Sequence, residues 1–173
     1  MSKFTIFIIL FSFANISFSQ TDQNCLKVIN DDVTATTKII TDEIDLGDFS
    51  VYVLAGITKG TYPKLIFKIK KGDCVDDYNP IYFMFHNGER YSGGNYVFPY
   101  NCNGYSGQII NTAKISNLLK VEKLKTLRVD TRSTFFQVDL TEEQSHLLKN
   151  YINCASDWKS YKDQIKYKAQ GKY

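Results

Sequence analysis

Two histidines, two groups of carboxylates, four cysteines and one tyrosine-dense segment hold the reactive side chains of this 173-residue chain. His86 stands beside an Asn87-Gly88 turn and His146 follows an acidic run, with no HxH or HxxxH spacing to make them a ligand pair. A Ser-His-Asp or Cys-His site needs no fixed order along the chain. No Gly-x-Ser-x-Gly elbow is present to support one, so both histidines are expected to be structural. The carboxylates gather at Asp42/Glu43/Asp45/Asp48 and at Asp73/Asp76/Asp77. Neither group has the ligand spacing of a calcium-binding EF-hand loop. Solvated turn acids are the expectation, and a weak calcium site is the second reading. A glycosidase pair is defined by a separation that spacing along the chain does not reveal. Ser92-Gly93-Gly94-Asn95 lacks the lysine and following helix of a phosphate loop. No cofactor and no metal are expected.

Cys25, Cys74, Cys102 and Cys154 are even in number and widely spaced, and no CxxC occurs. That excludes a zinc knuckle and a thioredoxin-like redox pair by spacing. Two disulfides are expected, from three possible pairings. Cys25–Cys154 would tie the ends of the domain and Cys74–Cys102 would tie two loops, each worth roughly 2–4 kcal/mol. Bridged partners should have Cα atoms about 4.4–6.8 Å apart.

The segment 91–107, YSGGNYVFPYNCNGYSG, holds Tyr91, Tyr96, Tyr100 and Tyr105 among four glycines, three asparagines and two serines. Tyrosine supplies rigid amphipathic contact area, and Ser, Gly and Asn supply adaptable hydrogen bonds, the mixture of binding loops. The plainer reading packs the tyrosines onto a sheet and leaves Gly and Asn to make turns. The functional reading makes Tyr91, Tyr96, Tyr100 and Tyr105, with Asn95 and Asn103, a contact surface. Val97 and Phe98 would then point inward and seat the loop.

These residues need a scaffold, and the chain's ends are not part of it. Residues 1–19 place Lys3 before the apolar run Phe4–Phe13 and end in Ser17-Phe18-Ser19, a small-x-small cleavage pattern. A signal peptide cut before Gln20 is expected, with export to the periplasm or beyond. The run is shorter than the roughly 20 residues of a spanning helix, and no later stretch is a stable membrane span. The remaining chain has 20 Lys+Arg against 18 Asp+Glu, so its net charge of +2 offers no case for nucleic acid. Lysine outnumbers arginine 18 to 3 beside abundant Ile, Asn and Tyr, the mark of AT-rich codons.

One domain, residues 20–155, is expected, followed by a short helix and basic tail over 156–173. Strands are read at Thr34–Thr41, Phe49–Ala55, Leu65–Ile69 and Ile81–Phe85 from β-branched density or alternation. Asn87-Gly88 predicts a hairpin, and Glu89–Ser92 should begin its return strand. Gln108–Ile110 is a further short strand. Ile115, Leu118 and Leu119 predict a helix over 112–121. Leu127 and Val129 face inward on one strand, and Phe136, Val138 and Leu140 on its hairpin partner. Thr141-Glu142-Glu143-Gln144 is a capping box. It opens a helix whose apolar stripe is read as Leu147, Leu148, Tyr151 and Ile152, ending near Cys154. The fold class is α+β, mainly antiparallel β, as a sandwich or partly open barrel with this capped C-terminal helix; a single sheet with helices on one face is the runner-up. The function expected is an exported non-catalytic binding module for a protein, peptide or surface glycan. The alternative is a small exported hydrolase using carboxylates or a spatially assembled histidine site.

Overall fold

The computed structural model describes residues 25–31, 36–57, 62–98, 100–110 and 112–161. The expected signal peptide and the expected basic tail beyond residue 161 lie outside them. Two antiparallel sheets form. In the first, the strands are β1 (Lys27–Asp31), β2 (Thr36–Ile40), β3 (Ile44–Asp45), β4 (Phe49–Leu54), β5 (Lys64–Ile69) and, after an excursion that builds one hairpin of the second sheet, β8 (Tyr105–Ile109). Their order is β1-β2-β4-β5-β8, with β3 also paired to β4. The second sheet comprises β6 (Pro80–Phe85), β7 (Arg90–Gly94), β9 (Leu124–Asp130) and β10 (Phe135–Asp139), in the order β10-β9-β6-β7.

Period-two alternation explains the layering. Val51 and Val53 on β4, Leu65 and Phe67 on β5, Ile81 and Phe83 on β6, and Leu127 and Val129 on β9 are all buried. An aromatic chain crosses between the sheets: Phe49 meets Phe67 at 6.1 Å, Phe67 meets Phe83 at 6.4 Å, and Phe83 meets Tyr91 at 5.9 Å between centroids. Edge and tilted geometries of this kind are favoured by the ring quadrupole. Helix α1 (Ala113–Val121) is capped by Thr112 and buries Ile115, Leu118 and Leu119, the stripe its spacing predicts.

Helix α2 (Glu142–Ser156) begins with the Thr141/Gln144 capping box. It packs on α1, β4 and β9. Its buried face is Ser145, Leu148, Ile152 and Ala155, while Leu147 is exposed and Tyr151 half-buried. The seat against both sheets rotates the helix away from the expected stripe, favouring small residues where the backbones approach. The helix also runs two residues past Cys154 before a 3₁₀ turn at Trp158–Tyr161. The hairpin after β6 forms with Gly88 at φ 88°. Its amide donates to the Phe85 carbonyl at 3.0 Å, so the turn spans Phe85–Gly88 and the glycine takes the left-handed position that follows it.

Both expected disulfides are present. Cys25–Cys154 ties the chain before β1 to α2, with Cα atoms 6.5 Å apart. Cys74–Cys102 has a Cα separation of 3.9 Å, below the expected range. The cause is local: Val75 and Asn101 exchange two backbone hydrogen bonds of 2.8 Å. Cys74 and Cys102 are therefore the adjacent cross-strand pair, where antiparallel backbones approach to about 4.5 Å.

Candidate functional site

The tyrosine-dense segment is shorter as a loop than its composition implies. β7 takes its first residues and β8 its last, leaving 95–104 between them. Glycine in these strands makes room for close approach. A Cβ on Gly93 would lie 2.1 Å from Gln108 Oε1, and one on Gly107 would lie 2.7 Å from Val97 Cβ. Val97 thus sits on the outer face of β8 and anchors the loop there, while Phe98 is half-buried against Tyr105, 5.7 Å between centroids.

Asn95 is only 1% exposed. Its amide donates to the carbonyls of Phe98 (2.9 Å) and Asp76 (3.3 Å), and its oxygen accepts from the Gly107 and Phe98 amides at 3.1 and 3.3 Å. Its side chain organises the loop from within. Asn103 is exposed. Tyr91 is half-buried against Phe83, and burial raises its hydroxyl above the usual phenol range. Tyr105 is half-buried on β8. Tyr96 is 62% exposed, with its ring over Gly94. Tyr100 is 54% exposed and stacks with Arg132 at 5.7 Å. Tyr96, Tyr100 and Tyr105 have different neighbours: Gly94, Arg132 and Phe98 respectively.

The Tyr100 end of the loop is fixed by a polar corner. Asp73 accepts from Thr131 Oγ1 and Ser133 Oγ, both at 2.6 Å, and from the Cys74 amide at 2.8 Å. The Ser133 and Thr131 hydroxyls hold its carboxyl below the usual range. The Arg132 amide donates to the Cys74 carbonyl at 2.9 Å, locking the β9–β10 turn to the second disulfide. Asp45 is held low by Lys70 Nζ, at 2.6 Å, and the Gly47 amide. Asp48 pairs with Lys71 at 2.6 Å, and Asp76 accepts from the Tyr78 amide at 2.9 Å. His86 lies exposed in its turn, and His146 reaches Glu142 at 3.3 Å on the exposed side of α2. Among the described residues neither histidine hydrogen-bonds a Ser, Thr or Cys side chain, and no three His, Cys, Asp or Glu gather to hold a metal.

The turn that carries Arg132 leads into Phe135, and there the outer face of the second sheet begins. This face was not singled out by sequence. Its floor is an open depression of about 660 Å³ lined by Tyr82, Arg90, Ser92, Thr126, Arg128 and Gln137, among others. The register sets Ser92, Tyr82, Arg128 and Gln137 side by side across four strands. The Arg128 guanidinium lies 3.8 Å from the centre of the Phe135 ring and 5.4 Å from that of Tyr82. Its Nε donates to Asp130 at 2.6 Å. Phe135 is 50% and Tyr82 40% exposed, large aromatic area left on the solvent side of alternating strands. One sequence signal pointed here: tyrosine and arginine occupying outward positions where β5 places lysines.

Among the described residues no helix is long and apolar enough to cross a membrane. Compared with protein-family models, curated proteins and solved structures, the chain has no significant match in any of the three.

Proposed function

We propose that the chain is an exported, non-catalytic binding module whose contact surface is the outer face of the second sheet. The observation that carries this reading is the Phe135–Arg128–Tyr82 stack, whose Arg128 and Tyr82 line an open depression. Stacking and the Asp130 bond hold the guanidinium in one orientation, so little side-chain freedom is lost when it meets a partner. Aromatic and arginine side chains are the residue types that dominate contact energies. Tyr100, stacked on Arg132 at the end of the β9–β10 hairpin, extends the same chemistry toward the tyrosine-dense loop. The leader at 1–19 and two disulfides support an oxidising compartment outside the cytosol.

The test is retention of the labelled, disulfide-intact mature protein on washed cells of the organism that makes it. Wild type should be retained. Tyr82→Ala, Arg128→Ala and Phe135→Ala should each release it at unchanged folded content. Retention that ignores all three substitutions places the surface elsewhere.

A further inference from the structure

The chain has three arginines, and all three lie on the second sheet or its β9–β10 turn, although lysine supplies eighteen of its cations. Two of them, Arg90 and Arg128, line the depression; no carboxylate lines it, and the two beside it, Asp130 and Asp139, are bonded to Arg128 and Thr126. Arg90 is exposed and has no partner among the described residues. Arg128 spends Nε on Asp130 and has both Nη groups unpartnered among the described residues. Each guanidinium therefore retains the paired donors that fit a carboxylate in a fork. They sit on β7 and β9 with β6 between them, Arg90 opposite Met84 and Arg128 opposite Tyr82, so two strand spacings and a two-residue offset put their backbones roughly 12 Å apart.

Between the two arginines lie Tyr82 and Met84 of β6, and hydroxyl and amide groups stand around this shallow strip. Ser92 and Tyr82 flank Arg128 on one side of its row, and Gln137 on the other. Thr126 stands in the next row, its hydroxyl donating to Asp139 at 2.5 Å. The Tyr82 ring offers a flat face for stacking. A peptide taken by its side chains needs a desolvated anchor pocket, and one taken by its backbone needs a sheet edge. This site is an open face in the middle of a sheet, with hydroxyl partners spread across it. From the two spaced forks and the hydroxyl-bearing floor, we infer that the face binds an acidic polysaccharide through carboxylates of successive uronate-type sugars. The inference rests on the proposed reading of this face as the contact surface and names its partner.

The experiment titrates the mature, oxidised protein with two uronate polymers, polygalacturonate and alginate, and with neutral dextran and poly-glutamate as comparators. Binding to at least one uronate polymer, absence of binding to dextran, and weakening with added salt are expected. Arg90→Gln and Arg128→Gln should each weaken uronate binding about tenfold, and Arg128→Lys should not restore it, because the ammonium lacks the fork. Lys68→Gln, on the other sheet, should leave binding unchanged. Equal losses from Lys68→Gln would mean diffuse charge attraction and overturn the inference, as would dextran binding or preference for poly-glutamate. Failure of both uronate polymers, with cell retention still lost in Arg128→Ala, would overturn the inference and leave the contact face standing. Cell retention indifferent to Arg128 and Phe135 would remove the face itself.

Discussion

Replacing Asn95 with alanine should separate the two asparagines of the tyrosine-dense segment into a structural and a surface residue. β8 is the edge strand of its sheet, so its outward Gly107 amide has no strand beside it and is satisfied by Asn95 Oδ1 at 3.1 Å. The same side chain donates to Phe98 O at 2.9 Å and holds two longer contacts of 3.3 Å. Two good hydrogen bonds at about 1 kcal/mol each, plus a buried amide left unsatisfied, put the loss at about 2–4 kcal/mol. For a domain of this size that corresponds to roughly 5–15 °C in Tm. Urea unfolding of the oxidised protein, followed by far-UV circular dichroism and tryptophan fluorescence, measures it. Asn103→Ala, at an exposed position, should change stability by less than about 0.5 kcal/mol. If Asn95→Ala is equally silent, the loop is not organised from its interior and the placement of Tyr96 and Tyr100 loses its physical basis.

Gly107→Ala should destabilise by about 1–3 kcal/mol because the new Cβ meets the stiff Val97 side chain at 2.7 Å, and Gly93→Ala by less because the Gln108 end group it meets can turn; paired urea midpoints decide. Removing Cys25–Cys154 by serine substitution should cost more than removing Cys74–Cys102, since closing spans of 129 and 28 residues is worth roughly 5 and 3.5 kcal/mol in the chain-entropy picture; equal costs in urea titrations would contradict it. Asp73, whose folded pKa is depressed by Ser133 and Thr131, contributes stability above about pH 4 that is lost as pH falls through its folded value. Asp73→Asn should therefore lower the urea midpoint at pH 7 and flatten its decline toward pH 2.

What was legible in the chain is what depends on near neighbours. Alternation marked Phe49–Leu54 and Lys64–Ile69, Thr141 and Gln144 marked the start of α2, and Ile115, Leu118 and Leu119 marked α1. Harder to read were the choices made by distant contacts. Ser106 and Gly107 look like loop residues, yet they pair with Phe67 and Ile66 in β8. Ser145 rather than Leu147 faces inward because two sheets decide the seat of α2. Asn95 resembles a contact residue until its partners, twelve and nineteen positions away in the chain, surround it. The candidate face is the extreme case. Tyr82, Arg128 and Phe135 come from three strands, and no local pattern places β6 beside β9.

The most direct test of that face uses the chain's three arginines as reporters. Phenylglyoxal modification of the mature protein, read by peptide mass with and without washed producer cells, gives a rate for each guanidinium. Arg90 and Arg128 should both be shielded when the protein is bound. Modification of both at the free-protein rate while the protein remains bound would contradict it.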